Sequence, residues 1–144
     1  MLKNEIIIKG KSPELKLIKK LLQRCMESEV VLENQRAVLV LDKEIHMSAD
    51  TENLAVPYHN KAYSGIDVLT YSQSDNRADV AALNLQSHQS TKSFELLYGI
   101  EMGRIYIDKN SEFDMYSVMC VAAALIAGKV PVKKAIEFLN SILS

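Results

Sequence analysis

The sequence has few of the residues that stabilise unusual small folds. Its 144 residues include no tryptophan, two cysteines, three prolines and five glycines. Two cysteines exclude a disulfide-rich scaffold, and Cys25 and Cys120 both lie in apolar helical patterns, so we interpret them as reduced core thiols. A composition of 48% hydrophobic and 24% charged residues is typical of one soluble domain. We therefore predict a single cytoplasmic domain over residues 1–144.

Strong charge and long hydrophobic runs are also missing. The formal net charge is −1, so the chain has no overall field to attract nucleic acid or an anionic membrane. The longest apolar run covers residues 118–127, about half of the roughly 20 residues that span a bilayer. The N-terminus has only three consecutive apolar residues, too few for the core of a signal peptide. We predict no membrane segment and no nucleic-acid partner.

The apolar run at residues 118–127 predicts a central helix. A helix that is apolar on every side is a buried one, and its three consecutive alanines allow close packing against a sheet. Gly128 follows the run, and we expect it to end the helix in a conformation with positive φ. Pro131 is expected in the first turn of the next helix, where its missing N–H has no partner to lose.

Hydrophobic periodicity predicts the remaining elements. We expect a short strand at residues 6–8, an amphipathic helix at about 13–27, and covered strands at 37–41 and 66–71. A short helix is placed near residues 48–53. Alternating patterns at residues 79–86, 94–98 and 104–108 predict an antiparallel meander, with Gly99 and Gly103 around its last turn. A helix at residues 132–143 ends the chain, with Asn140 facing water. The predicted fold class is α/β: a sheet with packed helices and an inserted antiparallel β-meander.

The ordered set of segments resembles a known family. Residues 38–42, 68–71, 78–81 and 94–96 follow the order of an Asp-containing strand, V-x-T-Y, A-D-V-x-A and F-x-L. Phe113 and Pro131 match the frame of an F-N-x-x-N helix. This pattern resembles the central ATP-binding domain of the Mur ligases, the UDP-N-acetylmuramoyl-peptide ligases, and in particular their tripeptide-synthetase branch. The resemblance covers residues 38–143.

The resemblance implies positions for a nucleotide site. In the family, two asparagines of the F-N-x-x-N helix help to hold the nucleotide, and Asp114 and Ser117 stand in their places here. A fainter match over residues 10–19 places Lys19 where the family has a carbamylated lysine, with Asn4 and Glu5 at the place of a metal-associated Asp-His pair. A simpler interpretation makes Lys19 one of several solvated lysines on an amphipathic helix.

The family's phosphate loop, G-x-x-G-K-[ST], is predicted to be missing, because the sequence contains no complete copy of that motif. Its backbone N–H groups and lysine hold the ATP phosphates. The favoured hypothesis is therefore a non-catalytic Mur-ligase-like domain for binding or assembly, without a cofactor. The alternative is a subunit of an ATP-dependent carboxylate–amine ligase of peptidoglycan synthesis, using ATP and Mg²⁺ with a partner that supplies the loop. A third hypothesis is a homo-oligomer that pairs through a bare sheet edge.

Other chemistry finds little support in the sequence. His46, His59 and His88 are far apart and lack neighbours at metal-ligand spacing, so we predict no metal site. The carboxylates are scattered, and no acid–base pair can be identified among them. The six tyrosines have no basic stripe beside them, which disfavours a platform for stacking nucleic-acid bases.

Overall fold

The computed structural model describes residues 5–27, 37–42, 51–57, 66–74 and 76–143. The strands in these residues are β1 (Glu5–Lys11), β2 (Ala37–Asp42), β3 (Thr51–Pro57), β4 (Ile66–Ser72), β5 (Val80–Ser87), β6 (Thr91–Tyr98) and β7 (Glu101–Asp108). The helices are α1 (Ser12–Glu27), α2 (Met115–Ala127) and α3 (Val132–Leu143).

All seven strands belong to one mixed sheet with the order β3-β1-β2-β4-β5-β6-β7. The pairs β1–β2, β2–β4 and β4–β5 are parallel, whereas β3 runs antiparallel to β1. Strands β5, β6 and β7 form the predicted antiparallel meander. The α/β fold class is confirmed, and the meander continues the parallel part of the sheet through β5.

Strand β3 was not predicted as a strand. The sequence predicted a short helix near residues 48–53, but residues 51–57 pair with β1 along their whole length. The polar residues at the start of this segment carry little strand propensity, and pairing with β1 overrides that local preference. The rest of the predicted helix, residues 48–50, lies outside the described residues.

Helix α2 is the centre of the core, as the sequence predicted. Every residue from Ser117 to Ala127 is buried, because α1, α3 and the sheet surround the helix. Cys25 and Cys120 are both buried and form no disulfide, and burial raises the pKa of Cys25 to about 12. Among the described helices, none is long and apolar enough to cross a membrane.

The end of α2 differs from the prediction by one residue. Gly128 has φ −82°, and the left-handed conformation is taken by Lys129, with φ 68°. The Lys129 N–H donates to the Ile126 carbonyl and the Val130 N–H donates to the Leu125 carbonyl, which is the Schellman pattern. Gly128 is therefore the C-cap of α2, and Lys129 adopts the left-handed conformation that glycine usually takes.

The meander also turns differently from the prediction. Gly99, with φ 64°, and Ile100 form the turn, whereas Gly103 lies inside β7 opposite Leu96. A β-carbon on Gly103 would stand 2.6 Å from Cδ1 of Ile136 on α3, so this glycine allows the close approach of helix and strand. In β5 the predicted alternation is broken by a bulge at Asn84, which has φ 52°, and Leu85 is 62% exposed.

The two amphipathic helices bury the faces that the periodicity predicted, except for Met26 on α1, which is 37% exposed. On α1 the buried residues are Leu15, Ile18, Leu21, Leu22 and Cys25, and on α3 they are Val132, Ala135, Ile136, Leu139 and Leu143. Asn140 is the exception, because it is half-buried and hydrogen-bonded to β7 instead of facing water.

Candidate functional site

An open cleft of about 860 Å³ lies in front of the N-terminus of α2. Its walls come from the ends of β4, β5 and β7, the start of β6, and the loop that leads into α2. The lining is mostly apolar in surface and includes charged residues of both signs. The lining residues are Gln73, Leu85, Ser87, Lys92, Ile107, Asp108, Lys109, Ser111, Glu112, Phe113, Asp114, Met115 and Tyr116.

The two positions that correspond to the family asparagines have different surroundings. Asp114 is exposed, lines the cleft and caps α2, because its Oδ1 accepts a hydrogen bond from the Ser117 N–H at 2.8 Å. Ser117 is only 1% exposed, does not line the cleft, and its Oγ has no hydrogen-bond partner. The structure therefore brings only Asp114 to the cleft, with one carboxylate oxygen already used by the helix.

A buried tyrosine contacts a second tyrosine that lines the cleft. The hydroxyl oxygens of Tyr71 and Tyr116 lie 3.0 Å apart, and the rings meet edge to face with centroids 5.7 Å apart. Tyr116 lines the cleft, whereas Tyr71 is buried. Burial is the main cause that raises the pKa of Tyr71 far above its usual range, so its phenol stays neutral. The contact fixes the position of Tyr116, and Tyr71 offers no phenolate for catalysis.

Ion pairs join the loop before α2 to helix α1. Glu112 accepts a hydrogen bond from Lys20 at 2.8 Å and lies 3.6 Å from Arg24, whose guanidinium stands over the Phe113 ring. The hydrogen bond from Lys20 is the main cause that lowers the pKa of Glu112. Because these side chains are about half exposed, the contacts position the loop more than they stabilise the fold.

The motif residues Thr70 and Asp79 bind each other. The Asp79 carboxylate accepts hydrogen bonds from the Thr70 N–H and hydroxyl, at 2.9 and 3.1 Å, and the Thr70 Oγ1 accepts one from the Asp79 N–H. These contacts join the end of β4 to the start of β5, the point where the parallel part of the sheet meets the meander. The structure thus gives both residues a role in holding the sheet together.

A second candidate location lies at the carboxyl ends of the parallel strands. Gly10-Lys11-Ser12 carries the last three residues of the phosphate-loop motif, a partial match that was not predicted. Strand β1 ends at Lys11 and helix α1 begins at Ser12, so the triplet spans the junction of the strand and the helix. Lys9 is paired with Leu41, and continuing this register by one residue puts Gly10 beside Asp42 at the end of β2. Ligands of open α/β sheets bind at this edge.

Lys19 is not brought to the cleft. It is exposed on α1 and is not among the residues that line the cleft. Asn4, His46 and His59 lie outside the described residues. Within the described ranges, no group of three or more His, Cys, Asp or Glu side chains is placed to hold a metal ion.

Comparison with known proteins first defines a class of fold. No protein-family model matches the chain, and no curated protein is significantly similar to it in sequence. Solved structures of similar fold include Mur ligases, so most of the chain has the fold of part of a Mur ligase.

The particular neighbours come from Acinetobacter baumannii. One is UDP-N-acetylmuramoylalanyl-D-glutamyl-2,6-diaminopimelate–D-alanyl-D-alanyl ligase, with 11% sequence identity, a TM-score of 0.52 and 73% of this chain covered. A MurF structure from the same organism has 10% identity and a TM-score of 0.52 over 74% of this chain. The match covers 21% of each ligase, so the chain corresponds to about a fifth of their length. At this identity the likeness concerns the fold alone.

Proposed function

We propose that this chain is a Mur-ligase-like module that acts in binding or assembly and does not transfer phosphoryl groups by itself. The observation that carries this proposal is the junction of β1 and α1, which has no residue between strand and helix. A phosphate loop needs several backbone N–H groups that wrap around the phosphates. Phosphoryl transfer depends almost wholly on such positioning and charge stabilisation.

The cleft supports the same proposal. The Asp114 carboxylate puts negative charge on the helix end where an anionic ligand would bind, and it already accepts the Ser117 N–H. Ser117 is buried beneath the surface and offers nothing to a ligand in the cleft. The module would therefore serve a protein partner, such as a ligase-like protein that supplies the phosphate loop, or a second copy of itself.

Calorimetric titration of the whole chain with ATP and Mg²⁺ tests this proposal. We expect no saturable heat of binding at ATP concentrations up to about 1 mM. A dissociation constant of about 1 mM corresponds to a binding free energy of roughly −4 kcal/mol. Saturable binding at or below that concentration, with one ATP per chain, would contradict the proposal.

A second candidate function is nucleotide binding at the carboxyl edge of the sheet, as part of an ATP-dependent carboxylate–amine ligase. It is favoured by Gly10-Lys11-Ser12 at the end of β1 and by Asp42 at the end of the neighbouring strand. A lysine next to a helix N-terminus suits phosphate, and a carboxylate nearby suits Mg²⁺.

The two candidates predict different results for one pair of variants. If the edge holds phosphate, Lys11→Ala abolishes ATP binding while Lys16→Ala, an exposed lysine on the same helix, leaves it unchanged. If any ATP signal is lost equally in both variants, the binding is nonspecific charge attraction and the second candidate fails.

A further inference from the structure

Strand β7 is the last of the described strands in the sheet, and a side chain binds two of its outward-facing backbone groups. The Asn140 Oδ1 accepts a hydrogen bond from the Tyr106 N–H at 2.9 Å, and the Asn140 Nδ2 donates to the Arg104 carbonyl at 3.0 Å. In a strand, the N–H and C=O groups of alternate residues point to the same side. The backbone N–H and C=O groups of the even-numbered residues of β7 therefore point away from β6. Asn140 supplies the hydrogen-bond donor and acceptor that a further strand would supply.

Without this contact β7 would be an unusually regular edge. All eight of its residues pair in register with β6, and the strand contains no proline, no bulge and no lysine. Natural edge strands rely on such features to avoid pairing with other chains. Arg104 does not protect the edge either, because its guanidinium lies across the sheet face and bonds Glu95 and Ser93, at 3.0 and 2.9 Å.

The side chains beside this edge fit a second copy of the same strand. Met102 and Tyr106 are 53% and 50% exposed. In a two-fold antiparallel pairing centred on Arg104, Met102 of one copy lies opposite Tyr106 of the other, a favourable sulfur–aromatic contact. The Arg104 side chains would meet at the centre, each already neutralised by its own Glu95.

We propose that Asn140 is an edge cap that keeps β7 from pairing with β7 of a second copy. Helix α3 carries the cap, and the tight contact of Ile136 with Gly103 holds that helix against the strand. Loss of the amide leaves the Tyr106 N–H and the Arg104 carbonyl without their partner and releases the last turn of α3 from the edge. This inference does not depend on the proposed function.

Sedimentation velocity over a wide concentration range tests the proposal. The variant is Asn140→Ala, and the control is Glu137→Ala, an exposed residue one turn earlier on α3. Two strand hydrogen bonds are each worth about 1 kcal/mol, so the self-association constant of Asn140→Ala should exceed that of the control by about tenfold or more. Equal association of the two folded variants would overturn the proposal.

A double variant shows which surface associates. Tyr106→Pro removes the same outward N–H, which makes no bond to β6, and proline is tolerated on the open side of an edge strand. Added to Asn140→Ala, it should return self-association to the level of the control. Association that persists in Asn140→Ala/Tyr106→Pro would belong to another surface and would also overturn the proposal.

Amide hydrogen exchange of the unmodified chain gives a readout that does not depend on any variant folding. The Tyr106 amide should exchange as slowly as the β7 amides that bond β6, because it donates to Asn140. Exchange as fast as an unprotected amide would show that the cap is not formed.

Discussion

Asp114 and Ser117 are joined by a hydrogen bond of 2.8 Å from the Ser117 N–H to the Asp114 carboxylate. By the resemblance to the Mur ligases these two positions are expected to correspond to nucleotide-binding asparagines, and here they make the N-cap of α2. Asp114→Ala should therefore lower the free energy of unfolding by about 1 kcal/mol, the usual cost of losing such a cap. Asp114→Asn keeps a capping oxygen and should stay near the unmodified chain. Urea unfolding midpoints measure both, and equal loss in the two variants would contradict a capping role.

Removing the buried hydroxyl of Ser117 should raise the stability of the chain, whereas removing the Asp114 cap should lower it. Its Oγ is buried without a hydrogen-bond partner, so Ser117→Ala removes a desolvated polar group and should stabilise the chain by about 1 kcal/mol. Ser93 is the matched control, because it is also 1% exposed but its Oγ accepts a hydrogen bond from Arg104. Ser93→Ala should destabilise the chain in the same thermal unfolding assay. If both substitutions destabilise equally, Ser117 has a partner in solution.

The elements that could be predicted from the sequence are those whose burial follows one period. Helices α1 and α3 have apolar residues on one face. The buried set of α3 matches the predicted one, and on α1 only Met26, at the end of the apolar face, is exposed. Helix α2 was predictable because it is apolar on every side. Strand β3 was not, because its polar residues become a strand only through pairing with β1, a contact distant in sequence.

The predictions for individual residues that were wrong concern positions whose role depends on where neighbouring helices and strands lie. Gly103 resembles a turn residue in sequence, but its lack of a side chain serves the contact with Ile136 on α3. Asn140 follows the polar face of α3, and only the position of the β7 edge gives its amide two backbone partners. Ser117 could not be predicted to be buried, because the same sequence position carries a ligand-binding asparagine in the family.

The candidate site was only partly accessible from sequence. Asp114 lines the cleft at the start of α2, and its assignment as a nucleotide-binding position, which the resemblance implies, stays a prediction. Gly10-Lys11-Ser12 was missed, although a search for partial motifs between a strand and a helix would have found it. Whether the triplet can bind phosphate depends on the connection between β1 and α1. The structure shows that no loop residues separate the strand from the helix, which the sequence does not reveal.

Stability should depend on Glu112 in a pH-dependent way. The Lys20 hydrogen bond holds the pKa of Glu112 below its ordinary value of 4.5, so the folded state binds the proton less strongly than the unfolded state. The stabilising contribution is therefore present above about pH 4.5 and is lost as the pH falls through the folded-state value. The unmodified chain should exceed Glu112→Gln in stability near neutral pH, and this difference should shrink on acidification.

Salt and a surface control complete that experiment. Lys20 and Glu112 are 51% and 43% exposed, so added salt should reduce the difference at neutral pH. Glu137→Gln, an exposed carboxylate on α3, should show no comparable change with pH. Denaturant midpoints from pH 3 to pH 7 measure these values. A difference between Glu112→Gln and the unmodified chain that grows on acidification would contradict the prediction.

The contact between Gly103 and Ile136 should be visible as a coupling energy. Gly103→Ala places a methyl group 2.6 Å from the present position of Ile136 Cδ1, and overpacking of this kind costs about 1 to 3 kcal/mol. Ile136→Val removes that methyl group and alone should cost about 0.5 to 1.5 kcal/mol. Because the valine makes room for the new side chain, the double variant should be more stable than the sum of the two losses predicts. Urea unfolding of all four chains measures the cycle, and strict additivity would mean that α3 moves away from β7 to accept the alanine.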